Sequence, residues 1–141
     1  MNGIGESSGG KAPWDILVVD DEPVVREGMR RILELRGLRV ATAADGNEAL
    51  AHPALGQCRM VFCDLVLPDI SGLVVIDEIR KTRTDLPVIL ITGYATVEQV
   101  DRAREAGASS FLAKPFEESE LVAAVEAALG SGAPAFKESG S

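Results

Sequence analysis

Polar residues that could do chemistry follow four of five short apolar runs in this chain. Asp20 and Asp21 come after the first run, and Asp64 ends the third. Thr92 ends the fourth run, and Lys114 follows the fifth. Because the carboxyl ends of parallel strands meet at one edge of a sheet, these side chains are expected to gather there. The sequence therefore predicts a cluster of three carboxylates, a hydroxyl and an ammonium.

A cluster of this kind suits phosphoryl transfer. Carboxylates held close together repel one another, so they need a divalent cation or an ammonium to offset their charge. Magnesium is the natural cation, because it is hard, prefers oxygen ligands and often bridges carboxylates to a substrate phosphate. The reaction also needs an in-line nucleophile. Asp64 is the candidate nucleophile, and its attack on a phosphorylated donor would give an acyl phosphate.

The elements that must position these residues alternate along the chain. Apolar runs separated by stretches of helical period are typical of a parallel α/β sheet covered on both faces. The strands are predicted over 15–20, 38–43, 59–64, 87–92 and 109–113. The helices are predicted over 23–36, from Asp45 to near Pro53 or Leu55, and over 72–83, 96–106 and 117–129. Either Ser71 or Asp69 is expected to cap the third helix.

Composition limits the function further. A length of 141 residues indicates about one domain, divided into a flexible segment 1–13, a folded unit 14–129 and a flexible tail 130–141. A formal net charge of -8 argues against direct binding of nucleic acid. No apolar run approaches the ~20 residues that span a bilayer. Cys58 and Cys63 do not have metal-ligand spacing, so a reduced cytoplasmic protein is expected.

Four segments resemble the signatures of response-regulator receiver domains from two-component signalling systems. In chain order they are LVVDDE at 17–22, DLVLPDISG at 64–72, ITGYA at 91–95 and KPF at 114–116. The resemblance covers roughly residues 14–129. The TGYATVE stretch at 92–98 is most similar to receivers of nitrogen-regulation activators and of hybrid sensor kinases.

The resemblance implies a fold, a metal site and partners. The fold is a flavodoxin-like, doubly wound (βα)5 three-layer sandwich, with five parallel strands in the order 2-1-3-4-5. Asp64 would be the phosphoacceptor. Asp21 and Asp64 would bind magnesium together with the backbone carbonyl of Val66, and Asp20 would assist through water. A histidine kinase or a phosphotransfer protein would supply the phosphoryl group.

The resemblance also implies how the signal leaves the site. Lys114 would pair with the phosphoryl group, and Thr92 would donate its hydroxyl to a phosphoryl oxygen. Phe111, where tyrosine is frequent in the family, would swing inward and reshape the face formed by the fourth helix, fifth strand and fifth helix. That face is a candidate surface for homodimerisation. The Lys114–Pro115 peptide bond is expected to be cis.

Other readings stay open at the level of sequence. A flavodoxin-like binding module without phosphorylation, such as a flavin carrier, would use phosphate-binding loops rich in Ser, Thr and Gly rather than acids. A phosphohydrolase would need a second acid two residues after Asp64, where this chain has Val66.

Among residues outside the cluster, His52 is predicted to lie on the surface and Trp14 to pack at the start of the first strand. The arginines at 26, 30 and 31 are predicted to form a solvated helix face.

Overall fold

The computed structural model describes residues 13–93 and 96–130. The two terminal segments that are predicted to be flexible, 1–13 and 130–141, lie outside these ranges except for residues 13 and 130. The strands are β1 Ile16–Val19, β2 Val40–Ala43, β3 Met60–Asp64, β4 Val88–Thr92 and β5 Ser110–Ala113. The helices are α1 Pro23–Glu34, α2 Gly46–Ala51, α3 Gly72–Thr82, α4 Val97–Ala106 and α5 Glu118–Leu129.

All five strands are parallel and lie in the order β2-β1-β3-β4-β5. This arrangement confirms the predicted flavodoxin-like sheet. The register aligns the strand ends that carry polar residues, since Asp64 pairs with Ile91 and Thr92 pairs with Ala113. The side chains expected to do chemistry therefore leave the sheet at one edge.

The central strands are apolar without interruption because helices cover both faces of the sheet. Alternate side chains of β1 enter different core clusters: Leu17 and Val19 join one, and Ile16 and Val18 the other. The first cluster is completed by α2, α3 and α4, with Ala49, Ile76 and Ala103 among its members. The second is completed by α1 and α5, with Met29, Leu33, Leu121 and Val125 among its members. Burial of one such Leu, Ile or Val stabilises the fold by about 1.5–3 kcal/mol.

The element boundaries differ from the predicted ones by a few residues. The helix α1 ends at Glu34 and is followed by Gly37, whose φ of 89° suits a residue without a side chain. The helix α2 ends at Ala51, and Pro53–Gly56 forms a separate 3-10 turn. The break follows from Pro53, which has no N–H to donate to the preceding turn.

Ser71 and Asp69 divide the two capping roles that the sequence left open. Ser71 caps α3 by accepting a hydrogen bond of 3.0 Å from the Leu73 N–H. Asp69 instead accepts from the N–H groups of Gly46 and Asn47, at 2.9 and 2.7 Å, and so ties the β3–α3 loop to the start of α2. Desolvation would raise the pKa of Asp69, but these backbone donors outweigh it and lower the pKa to about 2.

Three predictions concern residues outside the cluster. Trp14 packs at the start of β1, with its ring edge-on to His52 at a centroid distance of 5.3 Å. His52 is partly exposed, in accord with its predicted surface position, and its Nδ1 accepts a hydrogen bond from the Ala54 N–H. Cys58 and Cys63 are buried free thiols, and burial raises the pKa of each. Within the described residues, no helix has the length and apolarity to cross a membrane.

Gly72, at the start of α3, lies against the backbone that carries Asp64. Its N–H donates to the Leu65 carbonyl at 2.8 Å, and a Cβ on Gly72 would overlap the Asp64 carbonyl oxygen. Since backbone atoms cannot give way as a flexible side chain can, Gly72→Ala should lower the free energy of unfolding by about 1–3 kcal/mol. Urea unfolding followed by circular dichroism measures this loss.

Gly28→Ala is the matched control for Gly72→Ala. Gly28 lies within α1, and an added Cβ there would meet no atom within 4 Å. The same substitution should stabilise the protein by about 0.5–1 kcal/mol, because alanine is the better helix former. A Gly72→Ala protein as stable as the parent would show that the close approach to Asp64 is not needed.

Candidate functional site

Three predicted acids meet at the carboxyl edge of the sheet. Asp20 follows β1 and is fully buried, Asp64 ends β3 and is 5% exposed, and Asp21 is exposed. One carboxylate oxygen from each of these residues lies within 4.8 Å of the other two. The edge therefore carries a compact acidic cluster that opens toward solvent at Asp21.

Lys114 supplies the positive charge of this cluster. Its Nζ lies 2.8 Å from Asp64 Oδ2, 3.0 Å from Asp20 Oδ2 and 2.7 Å from Glu22 Oε1. Desolvation would lower the pKa of Lys114, but its hydrogen bonds to Asp64 and Glu22 outweigh this and raise the pKa above the ordinary lysine value. Lys114 is therefore charged at neutral pH and lies within reach of any group attached to Asp64.

Glu22 was not predicted as a site residue. It follows the acid pair directly, and its place in the LVVDDE segment was the only signal in the sequence. The contact with Lys114 joins residues 92 positions apart.

Backbone and side-chain hydrogen bonds hold the acids in place. Asp20 Oδ1 accepts from the Glu22 N–H at 2.9 Å, and Asp64 Oδ1 accepts from the Val66 N–H at 3.0 Å. Arg26 Nη1 donates to the Asp20 carbonyl at 2.8 Å, and the Arg26 side chain is only 17% exposed. The prediction of a solvated face is thus wrong for Arg26, because α1 turns this side chain toward the end of β1.

Thr92 and Phe111 lie on the side of the site next to α4. Thr92 is buried at the end of β4, and its carbonyl accepts from the Lys114 N–H at 2.8 Å. Phe111 is 41% exposed on β5, so its ring does not fill the core. A narrow cavity between α4 and the sheet is lined by both residues and by Gln99. Tyr94, part of the third signature segment, lies outside the described residues.

The loop that carries the lysine has the form that the resemblance implied. The Lys114–Pro115 peptide bond is cis. The structure thus brings the five predicted residues to one edge of the sheet. They are Asp20, Asp21, Asp64, Thr92 and Lys114.

The donor set fits magnesium. Asp20 Oδ2 is buried and has no hydrogen-bond partner, although the Lys114 ammonium lies 3.0 Å away in poor hydrogen-bond geometry. Burial raises the pKa of Asp20, and the neighbouring charge of Asp64 adds to that rise. A buried oxygen without a donor, beside two further carboxylates, is an environment that a hard divalent cation would stabilise.

The raised pKa of Asp20 predicts how stability depends on pH without metal. The folded protein holds the Asp20 proton more tightly than the unfolded chain, in which the pKa of Asp20 is near 3.8. The stability that this group contributes therefore falls as the pH rises from the pKa of the unfolded state through the pKa of the folded state. In EDTA near neutral pH, Asp20→Asn should raise the free energy of unfolding, because it removes a buried charge that the fold disfavours. The gain in stability should vanish at pH values below the pKa of Asp20 in the unfolded chain, and urea unfolding across the pH range measures this.

Asp15→Asn, just before β1, should have the opposite effect. Desolvation would raise the pKa of Asp15, but hydrogen bonds from Arg39 outweigh it and lower the pKa. The Asp15 carboxylate accepts the Arg39 N–H at 2.8 Å and lies 3.6 Å from Arg59. The stability that Asp15 contributes is present at pH values above its pKa in the unfolded chain and is lost as the pH falls through its pKa in the folded protein. Equal effects of the two substitutions at neutral pH would contradict this account of the acidic cluster.

The chain is similar to known signalling proteins. The family model described as "Response regulator receiver domain" matches residues 16–126. The response regulator MprA of Mycolicibacterium vanbaalenii is 40% identical over 117 residues, which cover 83% of this chain and 51% of MprA. The C4-dicarboxylate transport regulatory protein DctD of Pseudomonas aeruginosa is 36% identical, over 84% of this chain and 26% of DctD. The chain thus spans about half the length of MprA, and less of DctD.

Solved structures of receiver domains are also similar to this chain. The receiver domain of NtrX from Brucella abortus is 39% identical with a TM-score of 0.76, over 82% of this chain and 98% of that one. The BeF3-activated receiver domain of DrrB, a Thermotoga maritima protein, is 34% identical with a TM-score of 0.76, over 82% of this chain and 97% of that one. The chain belongs to the receiver domain family of two-component response regulators.

Proposed function

We propose that this receiver domain accepts a phosphoryl group onto Asp64 from a histidine kinase or a phosphotransfer protein, in a magnesium-dependent reaction in the cytoplasm. The single observation that carries the proposal is the 2.8 Å contact between Lys114 Nζ and Asp64 Oδ2 within the acidic cluster. A carboxylate beside a fixed ammonium can attack a phosphorus atom whose oxygens that ammonium then holds. The family match does not favour a flavodoxin-like binding module without phosphorylation.

The reaction makes one bond and breaks one. An Asp64 carboxylate oxygen attacks the phosphorus of the phosphorylated imidazole, an O–P bond forms, and the N–P bond breaks. The imidazole leaves with the electron pair of that bond and takes up a proton. Attack of water on the aspartyl phosphate later releases inorganic phosphate and restores the carboxylate. The domain therefore catalyses only its own phosphorylation and dephosphorylation.

The remaining residues of the cluster bind and orient. Asp21, Asp64 and the backbone carbonyl of Val66 would hold magnesium, with Asp20 acting through a water molecule. Magnesium, when bound, would neutralise charge on the acids and on the transferred phosphoryl oxygens. Lys114 holds one phosphoryl oxygen through its ammonium, and Thr92 donates its hydroxyl to another.

The output surface is the α4-β5-α5 face. Val97 is 78% exposed and Phe111 is 41% exposed there, so apolar surface is available to a partner or to a second copy of this domain. Movement of Thr92 toward the phosphoryl group would let the Phe111 ring turn into the cavity that both residues line. Phenylalanine has no hydroxyl, so an inward ring is held by apolar burial alone.

Intact mass spectrometry after treatment with acetyl phosphate tests the proposal. We expect one added phosphoryl group in the presence of magnesium and none in EDTA. Peptide mapping should place the group on the segment that contains Asp64. A parent protein that stays unlabelled with magnesium, or that is labelled equally in EDTA, would contradict the proposed function.

A further inference from the structure

Glu22 makes the shortest of the three Lys114 contacts, at 2.7 Å. Its side chain is 58% exposed, whereas that of Lys114 is 17% exposed. Glu22 therefore lies at the solvent side of the acidic cluster, with Lys114 between it and the buried acids Asp20 and Asp64. The catalytic steps described above leave Glu22 without a role.

The ammonium of Lys114 is surrounded by carboxylates before any phosphoryl group arrives, and two of its N–H donors already bond to Glu22 and Asp64. A lysine has three N–H donors and no acceptor, and three carboxylates lie within 3.0 Å of this nitrogen. A phosphoryl group on Asp64 adds negative charge and needs at least one of these donors. Glu22 is the most exposed of the three partners, so water can replace its contact most readily.

We propose that Glu22 is a positioning residue that holds Lys114 in the resting protein and competes with the incoming phosphoryl group for its ammonium. This inference rests on the proposed function of the site. The negative charge of Glu22 at the mouth of the site opposes a phosphoryl anion and favours a divalent cation. Glu22 thus sets the balance between metal binding and phosphoryl binding.

Glu22→Gln should change these two equilibria in opposite directions. Beryllofluoride with magnesium is the probe for the phosphoryl group, and calorimetric titration of magnesium alone is the probe for the metal. At saturating magnesium, we expect beryllofluoride affinity, followed by fluorine NMR, to rise about two- to five-fold. Magnesium affinity without beryllofluoride should fall by a similar factor of about two to five. Simple loss of folded protein cannot raise one affinity while it lowers the other.

Glu22→Asp separates the contact from the charge. Aspartate is one methylene shorter and breaks the 2.7 Å contact, but it keeps the negative charge at the mouth of the site. We expect its beryllofluoride affinity to rise by less than that of Glu22→Gln, because the charge that opposes the anion remains, and its magnesium affinity to stay near that of the parent. The effect of Glu22→Gln on magnesium should also shrink as ionic strength rises, because exposed charges are screened.

Glu34→Gln is the matched control. Glu34 is an exposed acid on α1 that pairs with Arg30 at 2.8 Å, and neither affinity should change on its substitution. Affinities of Glu22→Gln that both equal the parent values, or that both shift in one direction, would overturn the inference while leaving the proposed function intact. A parent protein that does not bind beryllofluoride in saturating magnesium would overturn both.

Discussion

Asp64→Asn should reduce phosphoryl labelling by acetyl phosphate to background, a loss of at least about 100-fold. The asparagine amide has nearly the shape of the carboxylate, but its oxygen is a poor nucleophile and cannot form a stable acyl phosphate. The substitution also removes one of three mutually repelling carboxylates, so the protein should remain folded. Intact mass spectrometry with magnesium present measures the labelled fraction.

Asp45→Asn is the control for the loss of an acid elsewhere in the chain. Asp45 caps α2 by accepting from the Glu48 N–H at 2.7 Å, and asparagine caps helices about equally well. This variant should be labelled to the same extent as the parent. An Asp64→Asn protein that is still labelled in magnesium would assign the phosphoacceptor to another residue and would remove the basis of the proposed reaction.

Asp21→Asn should weaken magnesium binding by at least about ten-fold. Asp21 is the exposed member of the acidic cluster, and its carboxylate lies within 4.8 Å of those of Asp20 and Asp64. The substitution removes a charged oxygen from the proposed metal site without opening a cavity in the core. Calorimetric titration of magnesium without phosphodonor measures the loss directly.

The same loss should be visible in stability and in labelling. A ligand at ten times its dissociation constant stabilises the folded state by about 1.4 kcal/mol, and Asp21→Asn should forfeit most of this at the same magnesium concentration. Labelling by acetyl phosphate should fall with it and recover in part at high magnesium. Asp101→Asn, which removes an acid paired with Arg104 on α4, should leave magnesium binding unchanged. Equal magnesium affinity in Asp21→Asn and the parent would exclude Asp21 as a ligand.

The sequence by itself determined the sheet and the residues at its functional edge. Uninterrupted apolar runs predict strands buried on both faces, and strands of that kind are parallel and covered by helices. In such a sheet every strand ends at the same edge as its parallel neighbours, so chain position alone brings Asp64 and Lys114 close together. The four signature segments identified the family, and the match over residues 16–126 confirms it.

Only the tertiary structure decided which side chains touch one another at that edge. Glu22 and Lys114 are 92 positions apart, and Asp69 reaches α2 across 22 and 23 positions. The local sequence pattern also did not predict that Arg26 turns toward Asp20 or that Phe111 is exposed. Hydrophobic periodicity predicts which face of an element is buried, because buried apolar residues recur about once per turn of a helix or at every second position of a strand. It does not report rotamers or loop-to-loop distances, which depend on how separate elements pack together.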